Sequence, residues 1–136
     1  MSESALHMAL TAALVRWVAE RYFDGDEGRI LVDCPEGHYS RDNPPRIGGY
    51  TPDVFANQMN GQGNIVGEAK TACDLENCHT RAQLAAFLDY CVQNDATLVM
   101  AVPWYAERLA KAMIRNIQRR RGGPPASVVV LERLSG

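Results

Sequence analysis

The dipeptide Asn60-Gly61 most constrains how this chain can fold. Both residues tolerate positive φ, which a two-residue type I′ turn needs at its two central positions. Apolar runs flank it, Asp53-Val-Phe-Ala-Asn-Gln-Met59 before and Asn64-Ile-Val-Gly-Glu-Ala-Lys70 after. The pattern predicts an antiparallel hairpin. A two-residue turn sets Met59 opposite Gln62, Phe55 opposite Val66 and Asp53 opposite Glu68. Cross-strand partners share a face, and Lys70, two positions beyond Glu68, joins them there. Two carboxylates directly opposite each other repel, so a cation between them is the expected resolution. The register is decisive, because a bulge at Gly63 would turn Asp53 to the other face. The plain alternative is a hairpin with solvated charges. Ile65, Val66, Gly67 and Ala69 argue against it, since a strand apolar on both faces suits a covered, central position.

Pro52-Asp53, then Glu68-Ala69-Lys70 at hairpin spacing, then a helix offering Gln83 resembles the PD-(D/E)XK nuclease superfamily. That superfamily includes restriction endonucleases and Holliday-junction resolvases, and the resemblance spans roughly residues 5–102. It implies that Asp53, Glu68 and the backbone carbonyl of Ala69 hold Mg²⁺ or Mn²⁺. It also implies that Lys70 acts near the attacking water and the scissile phosphate, with Gln83 as an auxiliary donor. The implied activity is metal-dependent hydrolysis of phosphodiester bonds, with DNA the expected substrate. The implied partners are nucleic acid and a homodimer or larger complex. Two other readings stay open: a catalytically inactive nucleic-acid-binding or accessory subunit of the same fold, and a protein-interaction domain holding zinc at Cys73, Cys78 and His79.

The 136 residues are the size of one domain, and 46% hydrophobic content supplies one core. No long apolar run or secretion signal is evident, so a soluble cytoplasmic protein with no membrane contact is expected. The net charge of −2 argues against a protein that coats DNA. It leaves a nuclease open, because a bound cation and a local basic stripe can supply the field. Cys34, Cys73, Cys78 and Cys91 lack the paired short spacings of a zinc site and read as reduced thiols.

Ala5 to Phe23 reads as a helix with Leu6, Leu10, Ala13, Leu14, Trp17 and Val18 inward, capped by Ser2 or Ser4. Relatives in the superfamily often carry an acid on this helix. Strand direction puts the Glu20 end far from Asp53 and the Glu3 end nearer, and no acid is assigned. Ile30 to Cys34 reads as a strand. The long loop Pro35 to Tyr50 should rim the site, and its His38, Tyr39, Arg41 and Arg46 are either phosphate or base contacts or ordinary loop residues.

His79 to Asn94 reads as a helix burying Leu84, Phe87, Leu88 and Cys91. Gln83 has two readings, a capping box with Thr80 or a residue facing the site. Thr97 to Pro103 should be a strand parallel to the Glu68 strand. Trp104 to Arg121 reads as a helix with Leu109, Met113, Ile114 and Ile117 inward, and Ser127 to Leu131 as the last strand. Arg108, Lys111, Arg115, Arg119, Arg120 and Arg121 hold six of the fourteen Lys/Arg residues. Part of that cluster answers the helix dipole; Arg115, Arg119 and Arg120 are candidates for gripping a phosphate backbone. The expected fold is one α/β domain over residues 1–136, restriction-endonuclease-like, in the order αβββαβαβ. Its mixed central sheet should be flanked by helices.

Overall fold

The computed structural model describes residues 3–33, 43–58 and 63–134. Helix α1 (Glu3–Tyr22) precedes strands β1 (Ile30–Val32), β2 (Val54–Ala56) and β3 (Ile65–Ala69). Helix α2 (Cys78–Asn94), strand β4 (Thr97–Pro103), helix α3 (Glu107–Arg121) and strand β5 (Ser127–Leu134) follow. The result is an α/β fold with a five-stranded mixed sheet, in the order β1-β2-β3-β4-β5. β1, β2 and β3 are antiparallel neighbours, whereas β3, β4 and β5 run parallel. The crossover helices α2 and α3 impose that change, since parallel neighbours need a long connection.

The pairing of β2 with β3 is Val54↔Gly67, Phe55↔Val66 and Ala56↔Ile65. This is the register a two-residue turn requires, although residues 59–62, including Asn60-Gly61, lie outside the described residues. β3 is central and buried along its whole length. No bulge interrupts its three pairs with β2. Gly63 serves a different purpose: a Cβ there would lie 1.5 Å from the Asp95 carbonyl oxygen, so only glycine lets β3 start against the end of α2.

Alternation along the strands divides the core in two. Val66, Leu98, Met100 and Val102 face α2 and α3, with Leu84, Phe87, Leu88, Ala110, Ile114 and Ile117 opposite them. Ile65, Ala69, Val99 and Ala101 face α1, against Leu10, Leu14, Val15 and Val18. Gly67 makes the second contact close. A Cβ there would meet Val54 Cβ at 2.9 Å and Leu14 Cδ2 at 3.0 Å.

Several boundaries differ from the sequence expectations. Ser4 lies inside α1 and does not cap it, and Ser2 is outside the described residues. β1 ends at Val32, and residues 34–42, with Cys34, His38, Tyr39 and Arg41, are likewise outside them. α2 begins at Cys78 because Asn77 caps it, accepting the His79 N–H at 2.8 Å. Thr80 is therefore already inside the helix, and no capping box with Gln83 forms there. Trp104–Ala106 is a separate 3-10 turn before α3. Its buried Ala106 sets the helix phase, so Ala110, Met113, Ile114 and Ile117 point inward and Leu109 falls to the exposed side. β5 extends past Leu131 to Leu134. No helix among the described residues is long and apolar enough to cross a membrane.

Candidate functional site

The site forms where β2 begins and β3 ends. The β2 ladder starts at Val54, leaving Asp53 just outside the strand and level with Glu68. The two residues grip each other in both directions. Asp53 N–H donates to Glu68 Oε1 at 2.8 Å, and Ala69 N–H donates to Asp53 Oδ2 at 2.8 Å. In a strand the carbonyl of a residue points to the same side as its N–H. The Ala69 carbonyl is therefore directed to the Asp53 side, as a metal-facing carbonyl would be.

Lys70 completes the face. Its Nζ lies 3.2 Å from Glu68 Oε2 and donates to Gln83 Oε1 at 2.6 Å. Its own N–H donates to the Ala101 carbonyl, which extends the β3–β4 ladder by one bond. Gln83 arrives by helix periodicity: Thr80, Gln83, Leu84, Phe87, Leu88 and Cys91 form the buried stripe of α2, and Gln83 lies near its site end. A polar residue in that stripe was the available signal, and it pointed inward rather than to a cap.

Sequence reasoning missed His7. Its Nε2 lies 3.4 Å from Asp53 Oδ1, from the amino-terminal part of α1. Strand direction marks that end as the near one, and the resemblance points there to an acid rather than a histidine. Glu20 is exposed on the far part of the helix. Asp33 adds a further carboxylate, with its N–H donating to the Asp53 carbonyl at 2.9 Å. Asp74 is fixed by the Thr71 N–H and hydroxyl at 3.0 and 3.1 Å.

The electrostatics follow from burial. Glu68 is 1% exposed, and desolvation, helped by the Asp53 charge, pushes its carboxyl up to about 8. Lys70 and the Asp53 N–H pull the other way and do not offset the burial. Asp33 is raised by desolvation and by Asp53, and His7 is raised by its hydrogen bond to Asp53, with Glu68 and Asp74 adding to it. The site thus gathers negative charge that its own cations do not balance.

No family model, curated protein or solved structure matches this chain. What the site can do rests on its own geometry.

Two carboxylates and a carbonyl are hard oxygen donors of the kind Mg²⁺ and Mn²⁺ take, with water filling the remaining positions. Among the described residues there is no cluster of three or more His, Cys, Asp and Glu side chains arranged to hold a metal. The fit therefore depends on Asp53, Glu68 and the Ala69 carbonyl. The carboxylate oxygens already accept a hydrogen bond or face a cation, but each keeps a second lone pair.

The other sequence candidates are exposed or engaged with other groups. Cys73 and Cys78 are exposed, Cys91 is buried, and the His79 ring packs edge-on to Tyr50 at 5.4 Å. Arg46 donates to the Gly49 carbonyl in its own turn. Arg115, Arg119 and Arg120 are exposed on α3. That helix starts at the site end of the sheet and runs away from it, so Arg119 stands about 18 Å along the axis from the first residue. Arg121 nearby pairs with Asp89 of α2.

Proposed function

We propose that this chain is a divalent-metal-dependent nuclease that hydrolyses phosphodiester bonds, with DNA the expected substrate and a restriction-endonuclease-like fold. One observation carries the reading. Asp53 and Glu68 are locked together at the carboxyl end of β3, with Lys70 beside Glu68 on the same face. Structural proteins gain little from a glutamate so buried that it resists ionisation. A site built to receive a cation gains from it, because the ion replaces the lost solvation.

Asp53, Glu68 and the Ala69 carbonyl would hold the ion. When bound, it supplies a Lewis acid for the phosphate and lowers the pKa of a water. Lys70 offers its Nζ as a donor. Gln83 takes one of its three N–H groups, Glu68 lies beside another, and the last is available to a phosphate oxygen or the attacking water. Gln83 fixes that direction. Hydrolysis forms one P–O bond from water, breaks one P–O ester bond and returns a proton to the leaving oxygen. The role left to Lys70 is to meet charge as it builds on the phosphate.

The test is single-turnover cleavage of end-labelled DNA with Mg²⁺ and with Mn²⁺, alongside binding by anisotropy. Lys70→Ala should slow cleavage by orders of magnitude yet leave affinity within about a factor of a few, since at most one phosphate contact is lost. Wild-type protein that cuts nothing with either ion, or a Lys70→Ala variant that cuts like wild type, sinks the proposal.

A second reading is a nucleic-acid-binding or accessory subunit without turnover. It is favoured by the internal engagement of Lys70, which Glu68 and Gln83 already hold. Metal-dependent stabilisation without cleavage would select it.

A further inference from the structure

Among the described residues, little at the site is placed to hold a phosphate chain. Lys70 is 9% exposed and its charge is shared with Glu68, and the exposed Arg115, Arg119 and Arg120 of α3 lie toward the other end of the sheet. Around the site stand Asp33, Asp53 and Asp74, whose charges repel a phosphate chain. With a net charge of −2, the chain as a whole adds no long-range attraction for a duplex, so any grip on phosphates must come from local contacts.

A different kind of contact is available at the same end of the sheet. Strand β4 lies beside β3, with Ala101 accepting the Lys70 N–H. Three residues on, after Pro103, Trp104 and Tyr105 emerge at 56% and 58% exposure. At strand rise they stand about 10 Å beyond Ala101, roughly three nucleotides of B-form rise. Their rings meet edge to face, centroids 5.7 Å apart, so each leaves a face uncovered. Exposed Arg108 is one helical turn further on, placed to meet a phosphate between stacked bases.

We propose that Trp104 and Tyr105 form a stacking platform for unpaired bases, so that the chain acts on single-stranded or locally melted nucleic acid rather than closed duplex. This rests on reading Asp53, Glu68 and Lys70 as the hydrolytic site. Base-on-ring stacking needs no net positive charge and tolerates any sequence, because every base has a π-face. It suits an acidic chain with a short aromatic promontory beside its site. A paired base, already stacked on its neighbours, would have to leave the helix to use it.

The test compares a labelled 20-nucleotide single strand with its blunt duplex, by anisotropy with Mn²⁺ in the Lys70→Ala background. The single strand should bind at least about ten-fold more tightly. Trp104→Ala and Tyr105→Ala should each cost it about ten-fold, while Trp104→Phe and Tyr105→Phe keep most of the affinity. Duplex affinity should not change in any of the four. Equal affinity for strand and duplex, or unchanged strand affinity in the double alanine variant, overturns the platform. Absence of single-strand binding also overturns it, and returns the rings to a protein-binding surface. Cleavage by the otherwise wild-type protein separates the two readings. Duplex cleavage by wild type and double alanine variant alike leaves the hydrolytic reading and removes the platform. Ring-dependent strand binding without Mn²⁺-dependent cleavage does the reverse.

Discussion

Lys70 just past the end of β3 and Gln83 on α2 are joined by a 2.6 Å hydrogen bond that crosses the interior between sheet and helix. Both are buried, so the bond fixes where the ammonium points and also ties the helix to the strand.

Gln83→Leu removes the acceptor while keeping a side chain of similar bulk. The buried ammonium then keeps only Glu68, and stability should fall by about 1–3 kcal/mol. A double-mutant cycle with Lys70→Met, read by urea unfolding, should give a coupling of at least about 0.5 kcal/mol. Additive losses would mean that the two side chains are neighbours without being partners.

Stability of the metal-free protein should fall as pH rises. Glu68 ionises near 4.5 in the unfolded chain, whereas burial and Asp53 hold its folded value at about 8. Its contribution is full below the unfolded value and is lost as pH climbs through the folded one. His7, also raised, acts in the same direction at the upper end of that range. Urea midpoints measured in EDTA from about pH 5 to about pH 8 should decline, and Glu68→Gln should flatten the decline. A wild-type midpoint that climbs over this range would contradict the burial argument.

Divalent cations should reverse that loss. An ion held only by the folded state stabilises by mass action, about 2.7 kcal/mol at one hundred times its dissociation constant. Mg²⁺ or Mn²⁺ should therefore raise the Tm, most of all near pH 8, and Asp53→Asn and Glu68→Gln should each suppress the rise. Equal responses in all three proteins would place the ion elsewhere.

Gly67→Ala tests how α1 is seated. The added methyl would press on Val54 and Leu14, and overpacking of this kind costs about 1–3 kcal/mol. Thermal melts should show it. Because α1 also carries His7 to Asp53, chemical shifts of the His7 ring should move as well. A variant with wild-type Tm would show that the helix can shift at no cost.

The sequence was most informative where turn chemistry and strand period act together. Asn60-Gly61 and the flanking apolar runs imply the register from local pattern, and the β2–β3 pairs agree with it and bring Asp53, Glu68 and Lys70 together. Thr97-Leu-Val-Met-Ala-Val-Pro103 was readable for a related reason, an unbroken apolar run closed by proline. Helix phase was less accessible. The helical spacing puts Leu109 inward, and the 3-10 turn before α3 gives that place to Ala110 instead. Gln83 had two local explanations of equal merit, separated by Asn77 taking the cap three residues earlier. His7 could not be found from local pattern, since its partner comes from a strand start far along the chain and half-exposed histidines are common on helices.

The order in which the chain can assemble follows from where these groups originate. The pairing of Asp53 with Glu68 belongs to a hairpin of adjacent strands and forms on the timescale of local turns. Lys70 gains Gln83 only when α2 has docked, and Asp53 gains His7 only when α1 has closed over the opposite face. A folding intermediate with β2 and β3 alone would therefore carry two apposed acids, an undirected lysine and no lid of side chains around them. Completeness of the tertiary structure, rather than the presence of the motif, is what brings Asp53, Glu68, Lys70, Gln83 and His7 together, and a nascent or partly unfolded chain lacks that arrangement.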